Sequence, residues 1–447
     1  MKLQVKFLKK TIKYSRKEEK MYAIGIDIGT TSICGIVLDV ASGKVIKSRT
    51  ETSNAFIPTV NEWEKIQNAE KIIEIALKIL ESFVDYPAAV IGLTGQMHGI
   101  VYVNDEGKAA SPLYTWQDAR GNLPYKDSTY ADYLGSCSGY GNITDFYNRL
   151  NGIRPKEAVT YCTIMDYLAM VLCGLKKPYM HVTNAASLGC FDLKTNKFSY
   201  DIDARISNGF DIVGTYQGVP VSVAIGDNQA SVFSTLADEK KLLINVGTGS
   251  QISIISNDIK SGKNIETRPY FDGKYLIVGA ALCGGRAYSI LKDFYTDFLQ
   301  SAGVDCRDVY AVMNLLIEGK KENTLEVDTR FVGTRQNPEI RGQIKGVTVD
   351  NFTPANLTYG FLEGMTKELY TMYEEMGERK VDLIGSGNGI RKNEALVRIA
   401  ERKFEGVLRI PAHTEEAAYG AALFGLVACG TYESAEQVQR LIKYEGR

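Results

Sequence analysis

Two related six-residue strings, alike at their Gly, Thr and final Ser positions, occur in this chain, and that repetition constrains the fold more than any other feature. Asp27-Ile28-Gly29-Thr30-Thr31-Ser32 closes an alternating run of Tyr22, Ile24, Ile26 and Ile28, and residues 33–40 resume a strand-like pattern. Far downstream, Lys241-Leu242-Leu243-Ile244 leads into Asn245-Val246-Gly247-Thr248-Gly249-Ser250, and residues 251–256 again read as a strand. Strand, glycine turn and strand therefore appear twice, which implies two related halves. We place their boundary near residue 240, just after a helix-like stretch at 229–239, giving domains at 21–239 and 240–447.

The intervening sequence supplies the partners for these strands. Alternation makes the first strand half-buried, and Ala41-Ser42-Gly43-Lys44 turns the second into a third at Val45–Thr52. Turns this short join antiparallel neighbours. Residues 69–83 place Ala69, Ile72, Ile73, Ala76, Leu77, Leu80 and Phe83 on one helical face. A buried strand at 88–94 then runs into Gly95-Gln96-Met97-His98-Gly99. In the second half, 357–374 reads as a helix, 381–384 as a strand, and 415–429 as an Ala- and Gly-rich helix suited to close packing.

Composition closes off several function classes. Fifty-two Lys and Arg against 53 Asp and Glu give a formal charge of −1, which favours neither nucleic acid nor an anionic membrane. The balance is uneven: the first twenty residues carry eight basic side chains and two acidic ones, so the remainder stands at −7. We expect residues 1–20 to be an N-terminal extension without a catalytic part. The basic start lacks the apolar stretch of a secretory signal, and no apolar run approaches the ~18 residues of a membrane helix. Eight cysteines without a C-x-x-C pair and three dispersed histidines suggest no disulfide framework and no zinc site, and hence a reducing, cytoplasmic setting. The sequence is silent on oligomeric state and leaves a homodimer open.

Both glycine turns suit phosphate, because glycine lets backbone N–H groups come close and hydroxyls stand beside them. One such turn is also plain hairpin chemistry. Two matched turns facing a cleft between domains can grip a triphosphate from both sides. No G-x-x-x-x-G-K-[S/T] string is present, and Gly385-Ser386-Gly387-Asn388-Gly389-Ile390 lacks the last glycine of a dinucleotide fingerprint. Asp27, ending the first strand, either starts the turn or reaches a magnesium ion through water. Asp227, between a strand and a helix, reads equally as a helix cap or as a carboxylate aimed into the cleft.

Taken in order, Asp27-Ile-Gly-Thr-Thr-Ser, Ile225-Gly226-Asp227-Asn228-Gln229-Ala230, Asn245-Val-Gly-Thr-Gly-Ser and Gly385-Ser-Gly-Asn-Gly-Ile-Arg391-Lys-Asn393 resemble the FGGY carbohydrate kinases from about residue 21 to about residue 430. Within that family the chain is similar to the sedoheptulokinases, through Gly95-Gln-Met-His-Gly99, Leu113-Tyr-Thr-Trp116-Gln-Asp118-Ala-Arg120, Thr163-Ile-Met-Asp-Tyr-Leu168, Asn184-Ala-Ala-Ser-Leu-Gly189 and Phe331-Val-Gly-Thr-Arg335. It departs in having Thr163-Ile-Met-Asp-Tyr where many members carry Lys-x-x-Trp, which weakens transfer of xylulokinase or glycerol kinase specificity.

The resemblance implies an α/β fold of two duplicated actin- and hexokinase-like (ribonuclease H-like) domains, with ATP and sugar meeting between them. It implies Asp227 as catalytic base and Asp27 at Mg²⁺. Gln96, Met97, His98, Trp116, Asp118, Arg120, Asn228, Gln229 and, more distantly, Asn184 would meet the sugar. Gly29, Thr30, Thr31, Ser32, Gly247, Thr248 and Gly249 would meet phosphate, and Gly385, Gly387, Asn388 and Asn393 the adenosine. Each has a bland counterpart: a lone histidine is more often structural, and Asp118 with Arg120 can be a surface ion pair worth less than ~1 kcal/mol. The expected activity is ATP-dependent phosphorylation of a ketose, sedoheptulose first, with xylulose or another polyol as the alternative. A nucleotide-dependent binding or assembly protein on the actin-like fold is the reading from another class.

Overall fold

The computed structural model describes residues 20–334, 337, 339–380 and 382–445. The basic stretch 1–19, Arg335 and Val381 thus lie outside the described residues. In the first half the strands are β1 (Tyr22–Ile28), β2 (Ser32–Asp39), β3 (Val45–Thr52), β4 (Ala88–Gly95), β5 (Ile212–Tyr216) and β6 (Val219–Ser222). The helices that matter here are α1 (Ala69–Glu81), α2 (Ile164–Cys173), α3 (Val182–Ser187) and α4 (Asp227–Thr235). The second half contributes β7 (Lys241–Val246), β8 (Ser250–Ser256), β9 (Ile265–Pro269), β10 (Tyr275–Ala281), β11 (Asp382–Ser386), β12 (Leu408–Pro411) and β13 (Tyr444–Glu445). Its helices include α5 (Gly284–Ser301), α6 (Pro354–Met376), α7 (Gly387–Lys392), α8 (Glu394–Phe404) and α9 (Glu416–Ala428).

The duplication read from two short strings extends through both sheets. The first has the order β5-β6-β4-β1-β2-β3, and the second β9-β10-β8-β7-β11-β12-β13. In each, a hairpin strand pairs antiparallel with the strand before the glycine turn, and a later strand pairs parallel on its other side. The parallel pair needs a crossover, and α1 supplies it between β3 and β4. Asn68 caps α1 by accepting from the Lys71 N–H at 2.9 Å. The helix stops at Glu81, short of the expected 83, where the Ser82 hydroxyl turns back onto the Ile79 carbonyl.

Alternation suggested a half-buried β1, but both of its faces are covered. Ile24, Ile26 and Ile28 belong to the core that α1 closes. Ala23 and Gly25 face α9, which comes from the second half of the chain and packs across β1, β4 and α4. A Cβ on Gly25 would stand 1.9 Å from the Ala418 carbonyl oxygen, and one on Gly420 the same distance from that of Ala230. Small residues on all three elements let backbone meet backbone, as the composition of α9 anticipated. The core under α9 also takes in Leu243, Ile255 and Ile384 of the second sheet, so the two halves share apolar contacts.

Candidate active site

Asp27 and Asn245, each one residue before the end of β1 and β7, occupy equivalent positions and meet different fates. Asn245, on β7, lies opposite Ser386 of β11 and donates to its hydroxyl at 2.6 Å. Asp27, on β1, lies opposite Thr94 of β4, but the Thr94 hydroxyl is spent on the Ile225 carbonyl at 2.8 Å. Asp27 Oδ1 is left buried without a hydrogen-bond partner. Burial, reinforced by the charges of Asp227 and Glu415, pushes its pKa up to about 7. A cation held through water by Asp27 would relieve that cost, so the residues present fit a magnesium ion. Among the described residues no group of three His, Cys, Asp or Glu side chains could hold a metal alone, whereas Mg²⁺ is ordinarily shared between one or two carboxylates and phosphate.

Asp227 opens α4, after the short pairing of Ile225 and Gly226 with the end of β4. Gly226 is the N-cap and Asp227 the first helical residue, which sets aside the reading of this aspartate as the cap. The approach is held from below: Thr183 Oγ1 accepts from the Gly226 N–H at 3.1 Å, and Asn184 Nδ2 donates to the Ala224 carbonyl at 3.0 Å. Burial raises the Asp227 pKa to about 6, against the pull of the Asn228 N–H and the Arg268 guanidinium. Arg268 reaches over from β9, donates to Asn228 Oδ1 at 3.1 Å and pairs with Glu266. Glu415, at the start of α9, accepts from the Cys34 thiol at 3.3 Å.

The sugar residues expected from sequence separate into two groups. Met97 lies against Gly226, where a Cβ would come within 2.7 Å of its sulfur. His98 takes a left-handed backbone (φ 74°), stacks on Tyr140 at 4.2 Å and sets Nδ1 2.8 Å from the Ser187 carbonyl. A carbonyl only accepts, so Nδ1 carries the hydrogen in this bond. Trp116 is 47 % exposed and presents an indole face.

Asp118, Arg120, Asn184 and Gln229 behave differently, since all four are 0–1 % exposed. Arg120 bonds Asp118 through both Nε and Nη2, reaches Asn148 and Glu64, and lies 4.3 Å over the Tyr114 ring. Asp118 also accepts from the Lys65 N–H at 3.0 Å. The pair is buried rather than a surface ion pair, and it ties the Trp116 loop to residues 64 and 65. Gln229 Nε2 is turned to the Pro269 carbonyl, and Asn184 Nδ2 to Asp166 and Ala224. Asn228 is half-buried beside Asp227.

The phosphate and adenosine candidates also gather at strand ends. Gly29, Thr30 and Ser32 are half-buried and Thr31 exposed in the first turn; Gly247 and Gly249 are half-buried and Thr248 exposed in the second. The N-terminus of α5 seats on the second turn, where the Gly285 and Arg286 N–H groups donate to the carbonyls of Gly247 and Thr248 at 3.0 and 2.9 Å. Gly385 lies in β11, and Gly387 and Asn388 open α7. Gly387 has φ 80°, and a Cβ there would stand 2.5 Å from the Val246 carbonyl, so glycine is what brings α7 against the second turn. Asn393 caps α8, accepting from the Leu396 N–H at 3.0 Å.

Sequence reasoning missed Arg268, Glu415, Gln67, Gly284 and Gly285. Gly284-Gly285 before a helical run was a legible signal. The others carry no local mark, because their roles arise from segments far apart in the chain.

Comparison with known proteins agrees with this geometry. Residues 22–125 match the FGGY family of carbohydrate kinases, N-terminal domain. The sedoheptulokinases of Mus musculus and Homo sapiens are 27% and 26% identical to this chain, covering 90% of it and 96% of their own length. A xylulose kinase of Staphylococcus xylosus is 23% identical, over 90% of each chain. Among solved structures, the xylulose kinase of Rhodospirillum rubrum superposes with a TM-score of 0.82 at 17% identity, covering 95% of this chain and 93% of that one. The glycerol kinase of Plasmodium falciparum with ADP gives 0.78 at 17% identity, over 96% and 93%.

Two sheets of matching order carry the actin-like, ribonuclease H-like fold, and the comparisons support a sugar kinase, a phosphotransferase. Its N-terminal part is thus similar to the FGGY carbohydrate kinases, and nine-tenths of its length to the sedoheptulokinases.

Proposed function

We propose that the protein transfers the γ-phosphoryl group of ATP to the terminal primary hydroxyl of a ketose, with sedoheptulose the first substrate to test. The observation that carries this is the carboxylate pair: Asp227, with a pKa of about 6, stands near an Asp27 whose buried oxygen has no protein partner. Phosphoryl transfer asks mostly for positioning and charge neutralisation. Asp227, ionised at neutral pH, orients the sugar hydroxyl and takes its proton as that oxygen bonds to phosphorus and the β–γ bridging oxygen leaves with ADP. Mg²⁺, bound at Asp27, supplies neutralisation of the phosphate charge. Residues 21–239 would carry sugar and base, and 240–447 the nucleotide.

The choice of sedoheptulose rests on the sedoheptulokinases among the relatives. Xylulose is the second reading, supported by the xylulose kinase relative; a difference of two carbons is settled by fine pocket detail. An ADP-release assay over seven-, six- and five-carbon ketoses tests both. Asp227→Asn should lower kcat by roughly 10²–10⁴ and leave ATP affinity nearly unchanged; near wild-type turnover would remove Asp227 from its role.

A further inference from the structure

A closed ring of hydrogen bonds links the first phosphate turn to the sugar loop. Its hub is Gln67, a fully buried residue in the short strand Ile66–Gln67. Gln67 Nε2 donates to the Thr30 carbonyl at 2.7 Å, and its Oε1 accepts from Gln96 Nε2 at 2.9 Å. Gln96 Oε1 accepts from the Thr30 hydroxyl at 3.2 Å, which closes the ring. Trp116 Nε1 then donates to the same Thr30 oxygen at 2.9 Å.

The direction of every bond follows from two groups that have no choice. The Thr30 carbonyl is acceptor-only, so Gln67 must turn its NH₂ toward it and its oxygen toward Gln96. Gln96 must then offer its NH₂ to Gln67 and its oxygen to the Thr30 hydroxyl. That hydroxyl spends its one hydrogen on Gln96 and keeps a lone pair for the indole N–H, which is donor-only. Flipping either amide would set donor on donor and acceptor on acceptor in a buried site, at the cost of unmet hydrogen bonds. The orientation of Thr30 in the first glycine turn and that of Trp116 in its loop are thus set by one fully buried amide.

We propose that Gln67 is a positioning residue that couples the Trp116 loop to the first phosphate turn, so that sugar seated on the indole and nucleotide seated on the turn report to each other. This rests on the functional reading above in placing sugar at Trp116 and phosphate at the turn. The coupling favours the same sequence of events that limits wasteful ATP hydrolysis: the turn takes its reactive orientation when the sugar loop is in place.

Gln67→Met keeps the volume and removes both hydrogen-bonding groups. Its kcat with ketose should fall roughly 10–100-fold, while KM for ketose and for ATP stays within about threefold. The second readout uses a Trp63→Phe background, where Trp116 is the one remaining tryptophan of the two in the chain. ADP should shift its emission when Gln67 is intact and leave it unchanged in Gln67→Met. Should Gln67→Met fail to fold by circular dichroism, Gln67→Leu serves, since it also removes both hydrogen-bonding groups and places no charge in the buried site. Wild-type kcat, or an ADP-induced emission shift that survives the substitution, would overturn the coupling. A Gln67-dependent emission shift in a protein that phosphorylates no ketose would uphold the coupling and overturn the ketose reading.

Discussion

At Asp227 burial raises the pKa, and the Asn228 N–H and Arg268 guanidinium oppose it, leaving a value of about 6. A general base works only when ionised, so kcat/KM for the sugar should rise with pH through about 6 and level off above it. Asp27, at about 7, titrates beside it. Mg²⁺ bound at Asp27 as proposed would hold that carboxylate ionised, so at saturating Mg²⁺ the limb near 6 would be the one that remains. A pH–rate profile flat from 5 to 7.5, in protein that stays folded by circular dichroism, would count against Asp227 as the ionising group. The same scale explains why some site residues were legible and others were not. Asp227 and His98 stand in short distinctive strings next to strand ends. Arg268 acts on Asp227 only because β9 ends beside α4, a contact between residues forty positions apart that no local pattern announces.

At the scale of elements, α9 is the piece whose composition and packing agree most closely. Its small residues press onto β1 and α4, and the Gly420 Cα lies where a methyl group would stand 1.9 Å from the Ala230 carbonyl oxygen. Helix propensity alone would make Gly420→Ala stabilising by ~1 kcal/mol. Overpacking against a backbone that cannot yield reverses the sign, and we expect a net loss of about 1–3 kcal/mol, read as a lower melting temperature. A variant that melts higher than wild type would show that α9 can move off its seat. Periodicity located most elements well and their ends less well. The helix expected at 229–239 is α4, which ends at Thr235 because the Gln439 side chain takes the Phe233 and Leu236 carbonyls. The strand leading toward Asp227 breaks after Ser222, and Asn184 claims the Ala224 carbonyl. Both endings come from distant side chains satisfying backbone groups that a regular element would otherwise pair.

For the whole molecule, the two glycine turns proposed to meet phosphate are carried on different sheets. Gripping one triphosphate from both sides requires the sheets to approach, and water exclusion favours the closed form once sugar is present. Small-angle scattering should therefore show a smaller radius of gyration with ketose and a non-hydrolysable ATP analogue than with neither. An unchanged radius would argue against closure. No helix among the described residues is long and apolar enough to cross a membrane.

The sequence by itself determined the duplicated strand–turn–strand units, the apolar faces of the helices and the strings that mark a sugar kinase. These depend on spacing and residue type within a few positions, where chain geometry leaves little choice. Only the tertiary structure decided how each polar group is spent. It left Asp27 unpartnered while satisfying its counterpart Asn245, buried the Asp118–Arg120 pair, and closed the Gln67 ring on Thr30. Such outcomes turn on which donor reaches which acceptor across long stretches of chain, and on burial that makes an unmet bond costly.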